Sequence, residues 1–330
     1  MRKFILFLIT VMLLLLVACN GSSKPSGTLV LYTSMKDSMI TTLVEDFMSK
    51  NPGVTVEVNT AGAGTLMRQI EEERASGAIL ADVIWTSEIP DFYYMKNEGL
   101  LLQYAPAGVE RIMNPLDGTD DYFSPARLGT MGIAYNTDLI ETPPISWNDL
   151  KKPEYKDSFT IADPTTSGTA MMGIMILKEA FGEQFFHDLR ANGAFIGQGS
   201  TQVINAVADG EIAACLAVDY ITFDKADSGF PIALAYPLEM IVIPSPVAIF
   251  KGSTNINTAK AFADYLITFD AQQIIAANGT LPVLGGMAVP DMFNIPTVTE
   301  AMVRAVVIST VDSVSHKDDI IRLFVDIMQD

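Results

Sequence analysis

Two cysteines, two histidines and two tryptophans are all that these 330 residues contain of those types. Cys19 and Cys215 provide no disulfide framework, and the scarcity of cysteine and histidine leaves little from which to build a soft-ligand metal centre. Positive charge is also short: 21 Lys and Arg stand against 39 Asp and Glu, a net charge of −18. A chain this acidic lacks the electrostatic footprint of a nucleic-acid binder. It also repels anions at long range, so any anion site must work through local donors. The chain has no Gly-x-Ser-x-Gly elbow around Ser167-Gly168, no Walker-type phosphate loop and no His-Glu-x-x-His. No carboxylate pair has a spacing that argues for glycosidase chemistry. Internal repeats, heptad arrays and long low-complexity tracts are absent.

What is present begins at the N-terminus. Arg2 and Lys3 precede an apolar run from Phe4 to Val17. The run is short of the ~20 residues that span a bilayer, and it ends in small residues, so residues 1–18 read as a signal peptide. Its end, Leu16-Val17-Ala18-Cys19, is similar to a bacterial lipoprotein signal. That resemblance implies cleavage before Cys19 and acylation of the cysteine; a plain signal peptide with a chance cysteine is the alternative. Residues 19–27 continue as a polar, Gly- and Ser-rich tether. Without Arg2 and Lys3, 19 basic and 39 acidic residues remain, a net charge of −20. Cys215 would then have no intrachain partner and sits in an apolar string, as a buried small hydrophobe.

From Thr28 the elements alternate. The spacing predicts strands at Thr28–Tyr32, Val54–Val58 and Asp82–Thr86, with helices through Met39–Met48 and Leu66–Arg74 and a turn at Ala61–Thr65. That order predicts a parallel sheet with right-handed crossovers. A second group follows: strands at Gly132–Asn136, Phe159–Asp163 and Cys215–Val218, and helices at Thr169–Phe181 and Val203–Asp209. Ile241–Pro244 and Val247–Phe250 read as two strands interrupted by Ser245-Pro246. Met171, Met172 and Met175, Trp85 and Tyr32 are read as core. The expected class is α/β with two lobes.

The order of these elements, and the words Leu31-Tyr32-Thr33-Ser34, Asp82-Val83-Ile84-Trp85-Thr86-Ser87-Glu88, Gly132-Ile133-Ala134-Tyr135-Asn136, Asp163-Pro164-Thr165-Thr166-Ser167-Gly168-Thr169 and Val218-Asp219-Tyr220, carry a resemblance. The chain resembles type 2 periplasmic solute-binding proteins of ABC importers, in the branch that takes ferric ion, phosphonates or phosphorylated sugars. The resemblance implies a two-lobe periplasmic-binding-protein fold (type 2) with a ligand cleft between lobes joined by hinge strands. It places residues 28–127 in lobe 1 and 128–246 in lobe 2. Residues 247–330 return to lobe 1, with C-terminal helices free to pack on lobe 2. The crossings are expected near Leu128–Ile133 and Val242–Val247. The implied partners are an ABC permease and its ATPase, a small anionic ligand and a membrane reached through lipid on Cys19. The chain is expected to be an extracytoplasmic monomer with no nucleic-acid partner, no cofactor and no resident metal.

In open α/β sheets, ligands sit beyond the carboxyl ends of strands. That rule and the resemblance select Thr33, Ser34 and Met35 after the first strand, Ser87 and Glu88 after the third, and Ser167, Gly168 and Thr169 at the start of the long helix. They add Ser200 and Thr201 at the next helix start, and Asp219 and Tyr220 after the Cys215 strand. Asp219 and Glu239 are candidates for accepting hydrogen bonds from sugar hydroxyls. The Ser167-Gly168-Thr169 start is either an ordinary helix cap or a cradle of free amides for a phosphate, phosphonate or carboxylate. Iron-binding members of the branch hold the metal with a histidine, a glutamate and two adjacent tyrosines. Here those positions read Lys36, Ser87 (with Glu88 one residue on) and Tyr220-Ile221, a thin set for ferric iron. His187 and His316 are read as surface residues. Rival readings are a ferric-ion importer component, a phosphoryl-group hydrolase, and a surface lipoprotein that presents solute to a sensor or acts as an adhesin.

Overall fold

The computed structural model describes residues 24–306, apart from 115, 117, 288, 292 and 293, together with 316–329. The signal segment, Cys19 and the tether up to residue 23 lie outside the described residues. Gly27, the last residue assigned to the tether, is instead the first of a strand, and Ser26 before it is hydrogen-bonded in both directions to Thr258 Oγ1. The body therefore starts slightly before the sequence pattern suggests.

Strand β1 (Gly27–Thr33) leads to helix α1 (Asp37–Lys50), β2 (Val54–Thr60), α2 (Ala63–Ala75), β3 (Val83–Trp85) and α3 (Ile89–Asn97). β1 pairs in parallel with both β2 and β3, the arrangement that strand–helix alternation dictates. α1 buries Met39, Ile40, Leu43, Val44 and Phe47 along one stripe. A long strand β4 (Phe123–Asn136) follows, then β5 (Phe159–Ala162), α4 (Gly168–Phe181), α5 (Gln184–Ala191), β6 (Phe195–Gly197), α6 (Ser200–Ala208), β7 (Ala214–Val218), α7 (Asp219–Asp227) and β8 (Ile232–Ala235). β9 (Ile241–Ile249) precedes α8 (Ile256–Leu266), α9 (Phe269–Ala277), α10 (Val298–Arg304) and α11 (Lys317–Gln329).

The strand order is β2-β1-β3-β9-β4-β7-β5-β6, with β8 on β4. Val247–Ile249 of β9 pairs with β3, whereas Met131–Tyr135 of β4 pairs with β7. Between these attachments Arg127–Thr130 lies opposite Val242–Ser245, so a two-stranded antiparallel ribbon links the two halves of the sheet. The two halves of the sheet are joined by this ribbon.

The ribbon also corrects the sequence reading. Ser245-Pro246 does not break β9, which runs continuously through both prolines. Pro246 faces Pro125, and the register shifts by one residue between Pro125 and Arg127. A bulge is a place where a strand tolerates a missing N–H.

The hydrophobic cores divide accordingly. Leu29, Leu31, Leu43, Phe47, Trp85 and Phe262 pack in one cluster; Trp147, Phe159, Met171, Met175, Phe186 and Cys215 belong to another. Tyr32 is buried in a third cluster around α2 and α3. α11 packs on the second lobe, where Phe324 meets Phe186 edge to face at 5.2 Å between centroids.

Candidate functional site

Between the lobes lies a cleft of about 780 Å³, large enough for a small organic molecule. From lobe 1 its wall takes Ser34, Met35 and Lys36 after β1, Gly62 and Ala63 after β2, and Ser87 after β3. From lobe 2 it takes Ser167, Gly168, Thr169, Ser200, Thr201, Asn205, Tyr220 and Asp224. The starts of five helices, α1, α2, α4, α6 and α7, therefore face one space.

Four of those starts, all but α4, have no side-chain capping hydrogen bond. In α7, with Val218 at the cap, Asp219 Oδ1 takes the Tyr220 amide; α1, α2 and α6, with Lys36, Gly62 and Gly199 at the cap position, lack even that. A helix start leaves up to four amides without an intrahelical acceptor and carries partial positive charge. Here the sequence supplies no acceptor of its own, which is the condition in which an anion completes the helix. α4 differs. Ser167 Oγ accepts from the Ala170 amide at 3.2 Å, an ordinary cap. The same oxygen lies 2.7 Å from Ser200 Oγ and 3.2 Å from Thr169 Oγ1, and Thr169 and Ser200 are 3.2 Å apart. Three hydroxyls thus cluster where two helix starts meet. Gly168 is needed there for contact between lobes: a Cβ would fall 2.3 Å from Glu88 Cγ.

Two features orient the remaining wall. Lys36 at the α1 start pairs with Asp224 of α7 at 2.5 Å, an ion pair across the cleft. Asn205, one turn into α6, keeps Oδ1 buried with no hydrogen-bond partner. An acceptor left bare in this way is suited to a hydroxyl or ammonium group.

Thr33, Glu88, Asp219 and Glu239 do not line this cleft. Thr33 is fully buried; its Oγ1 donates to the Trp85 carbonyl at 2.8 Å and accepts from the Met35 amide at 3.1 Å. Glu88 points to a separate cavity of about 440 Å³, where Lys317 of α11 bonds Glu88 Oε2 at 2.7 Å and Asp91 Oδ1 at 2.6 Å. Burial and the neighbouring Asp91 push the Glu88 pKa up to about 8, against the pull of Lys317. Asp219, the first residue of α7, is wholly buried against the linking ribbon. Its Oδ2 accepts from the Thr130 amide, Thr130 Oγ1 and Thr280 Oγ1, and its Oδ1 from the Tyr220 amide. Four donors leave it no capacity for a sugar hydroxyl. Glu239 lies in the β8–β9 connection, where its backbone carbonyl accepts from Trp147 Nε1 at 2.9 Å.

Tyr220 lines the cleft with the Arg127 guanidinium 4.8 Å from its ring centroid. Burial raises its pKa, with Asp219 adding and Arg127 opposing, so Tyr220 remains a neutral phenol. Among the described residues no group of three or more His, Cys, Asp or Glu side chains could hold a metal ion.

A family model described as bacterial extracellular solute-binding protein matches residues 28–281. The chain belongs to this family.

Among curated relatives, an uncharacterised protein of Haemophilus influenzae is 27% identical over 296 residues, 84% of each chain. Among solved structures, the periplasmic binding protein AfuA from Actinobacillus pleuropneumoniae, with exogenous fructose 6-phosphate bound, superposes with a TM-score of 0.77. It is 23% identical and the match covers 92% of this chain and 99% of AfuA. Iron-bound HitA from Pseudomonas aeruginosa gives 0.76 at 23% identity, covering 91% and 99%. These likenesses establish the type 2 two-lobe fold, and the family places this binding protein outside the cytoplasm.

Sequence reasoning missed the wall after β2. Ala61–Thr65 was read as a turn, yet α2 begins at Ala63 and its start faces the cleft. The carboxyl-end rule applied to β2 would have found it. Asn205 had a weaker signal, an amide among the apolar residues Val203, Ile204 and Val207.

Proposed function

We propose that this binding protein is the extracytoplasmic component of an ABC importer and takes a small organic anion, a phosphorylated sugar or a phosphonate, in the interlobe cleft. The observation that carries this reading is the convergence of four helix starts without side-chain caps and a three-hydroxyl cluster on one cavity. Together they offer many short-range donors and no surplus of cationic side chains, which is what an acidic chain needs to hold an anion. Met35, Asn205 and Tyr220 would contact the organic portion. Closure of the lobes on the ligand would present a distinct surface to a permease and its ATPase.

The iron reading is weaker in physical terms. Ferric iron wants several anionic oxygens. Of the positions that the resemblance assigns to iron, Tyr220 is one buried phenol in the cleft, Glu88 lies outside it against Lys317, and Lys36 is a cation. The phosphoryl-hydrolase reading has no activated nucleophile or metal cluster among the described residues to support it.

The test is calorimetry on the full-length chain with fructose 6-phosphate, 2-aminoethylphosphonate, inorganic phosphate, ferric citrate and neutral fructose. Saturable one-to-one binding of an organic phosphate or phosphonate, with fructose silent, is the expected result. Binding of ferric citrate alone, with a visible charge-transfer band lost in Tyr220→Phe, would replace this reading with iron transport.

A further inference from the structure

Arg127 is a fully buried cation on the linking ribbon and is not part of the cleft wall. It lies behind the cleft floor. Nε donates to Ser245 Oγ at 3.1 Å and Nη1 to Thr280 Oγ1 at 3.1 Å, while the guanidinium covers the Tyr220 ring. Gly129 makes room for it, since a Cβ there would sit 2.5 Å from Nη2. Asp219 Oδ1 is 4.0 Å from Nη1, too far for a direct hydrogen bond.

The proton directions follow from the donors available. Arginine can only donate, so Ser245 Oγ accepts from Nε. Ser245 Oγ is 3.0 Å from Ser87 Oγ, and Ser87 lines the cleft. Either serine can donate to the other. With one lone pair of Ser245 taken by Arg127, the arrangement in which Ser245 gives its proton to Ser87 leaves Ser87 its own proton to donate into the cleft. A cation at the head of such a chain polarises each hydroxyl after it and strengthens the last donor.

We propose that Arg127 is a positioning residue that makes the cleft selective for anions without touching the ligand, by fixing Ser87 as a donor through Ser245 and by backing the Tyr220 ring. This inference rests on the anion reading above. It differs from a purely structural role because it runs along a defined path from Arg127 to Ser245 to Ser87.

The experiment is a double-mutant cycle on the full-length chain, read as Kd for fructose 6-phosphate and 2-aminoethylphosphonate. Ser245→Ala is expected to weaken binding about three- to tenfold, and Ser245→Thr, which keeps the hydroxyl, to restore most of it. In a Ser87→Ala background, Ser245→Ala is expected to cost nothing further. Arg127→Lys, which keeps the charge and loses the Nε donor, is expected to follow Ser245→Ala; thermal melts confirm that each variant is folded. If Arg127→Lys does not fold, the two serine variants alone decide. Equal losses from Ser245→Ala with and without Ser87 would overturn the relay, as would no loss at all. Failure of the unmodified chain to bind any of these anions would overturn the anion reading and this inference with it.

Discussion

The sharpest prediction concerns Asp219, because the sequence and the structure give it opposite roles. As a ligand contact at the end of a strand, Asp219→Asn would weaken binding and leave stability alone. As observed, Asp219 is completely buried and receives four hydrogen bonds. The asparagine oxygen can take the place of Oδ2 and keep three of them. Its amide nitrogen then faces the Tyr220 N–H, donor against donor. The buried Arg127 also loses the Asp219 carboxylate 4.0 Å away. Breaking a buried pair on one side costs about 3–5 kcal/mol. At about 2.1 cal/mol/K of unfolding entropy per residue, that corresponds to a fall in Tm of about 5–8 °C in a chain of this size. Urea unfolding followed by tryptophan fluorescence suits the test, since Trp85 and Trp147 are both fully buried and lie in different core clusters. A loss below about 1 kcal/mol would refute the buried-network account. Combining Asp219→Asn with Arg127→Met should recover part of the loss, because the second change removes the stranded charge.

Three further outcomes are expected. Ser167→Ala removes the α4 cap and one hydroxyl of the cluster, so stability should fall by about 0.5–2 kcal/mol in urea titrations and anion affinity should fall with it; loss of stability with unchanged affinity would remove the cluster from the site. Glu88 holds its proton to about pH 8 when folded, against an ordinary value of 4.5, so folding takes up a proton between those limits. Its contribution is complete below pH 4.5 and is lost as pH rises to 8, a slope of at most ~1.4 kcal/mol per pH unit that Glu88→Gln should flatten in urea titrations from pH 5 to 8.5. On the lipoprotein reading of Leu16–Cys19, Cys19→Ser should abolish fatty-acid incorporation and shift the chain from the membrane to the soluble extracytoplasmic fraction; an unchanged distribution with no fatty acid in the parent chain would refute that reading.

Much of the fold was legible because its signals are local. The β1–α1–β2–α2–β3 order is written in alternating periodicities, and each apolar stripe needs only one neighbour to bury it. The carboxyl-end rule then reached Ser34, Met35, Ser87, Ser167, Gly168, Thr169, Ser200, Thr201 and Tyr220, all of which line the cleft. The continuity of β9 through Pro244 and Pro246 was not legible. It depends on a partner strand more than 100 residues away that carries its own proline opposite. Lys317 was equally hidden: nothing near it in sequence says that its ammonium meets Glu88 and Asp91 across the lobes.

Asp219 and Tyr220 show where the limit lies. They are adjacent, both polar, both at the same strand-to-helix junction, and indistinguishable by any local rule. In a helix start, successive side chains point about 100° apart, so one faces the ribbon and the other the cleft. Which is which depends on Thr130 and Thr280, residues brought in from β4 and from the segment after α9. The acid is consumed by the joint and the phenol is left for the ligand. Carboxylates at strand ends are usually the first candidates for binding a sugar. In this protein the one that best fits that pattern is buried against Arg127 at the linking ribbon, and the cleft wall is left with hydroxyls, amides and a phenol. A cleft furnished in that way has donors in excess of anionic acceptors, which is why its ligand should carry the negative charge.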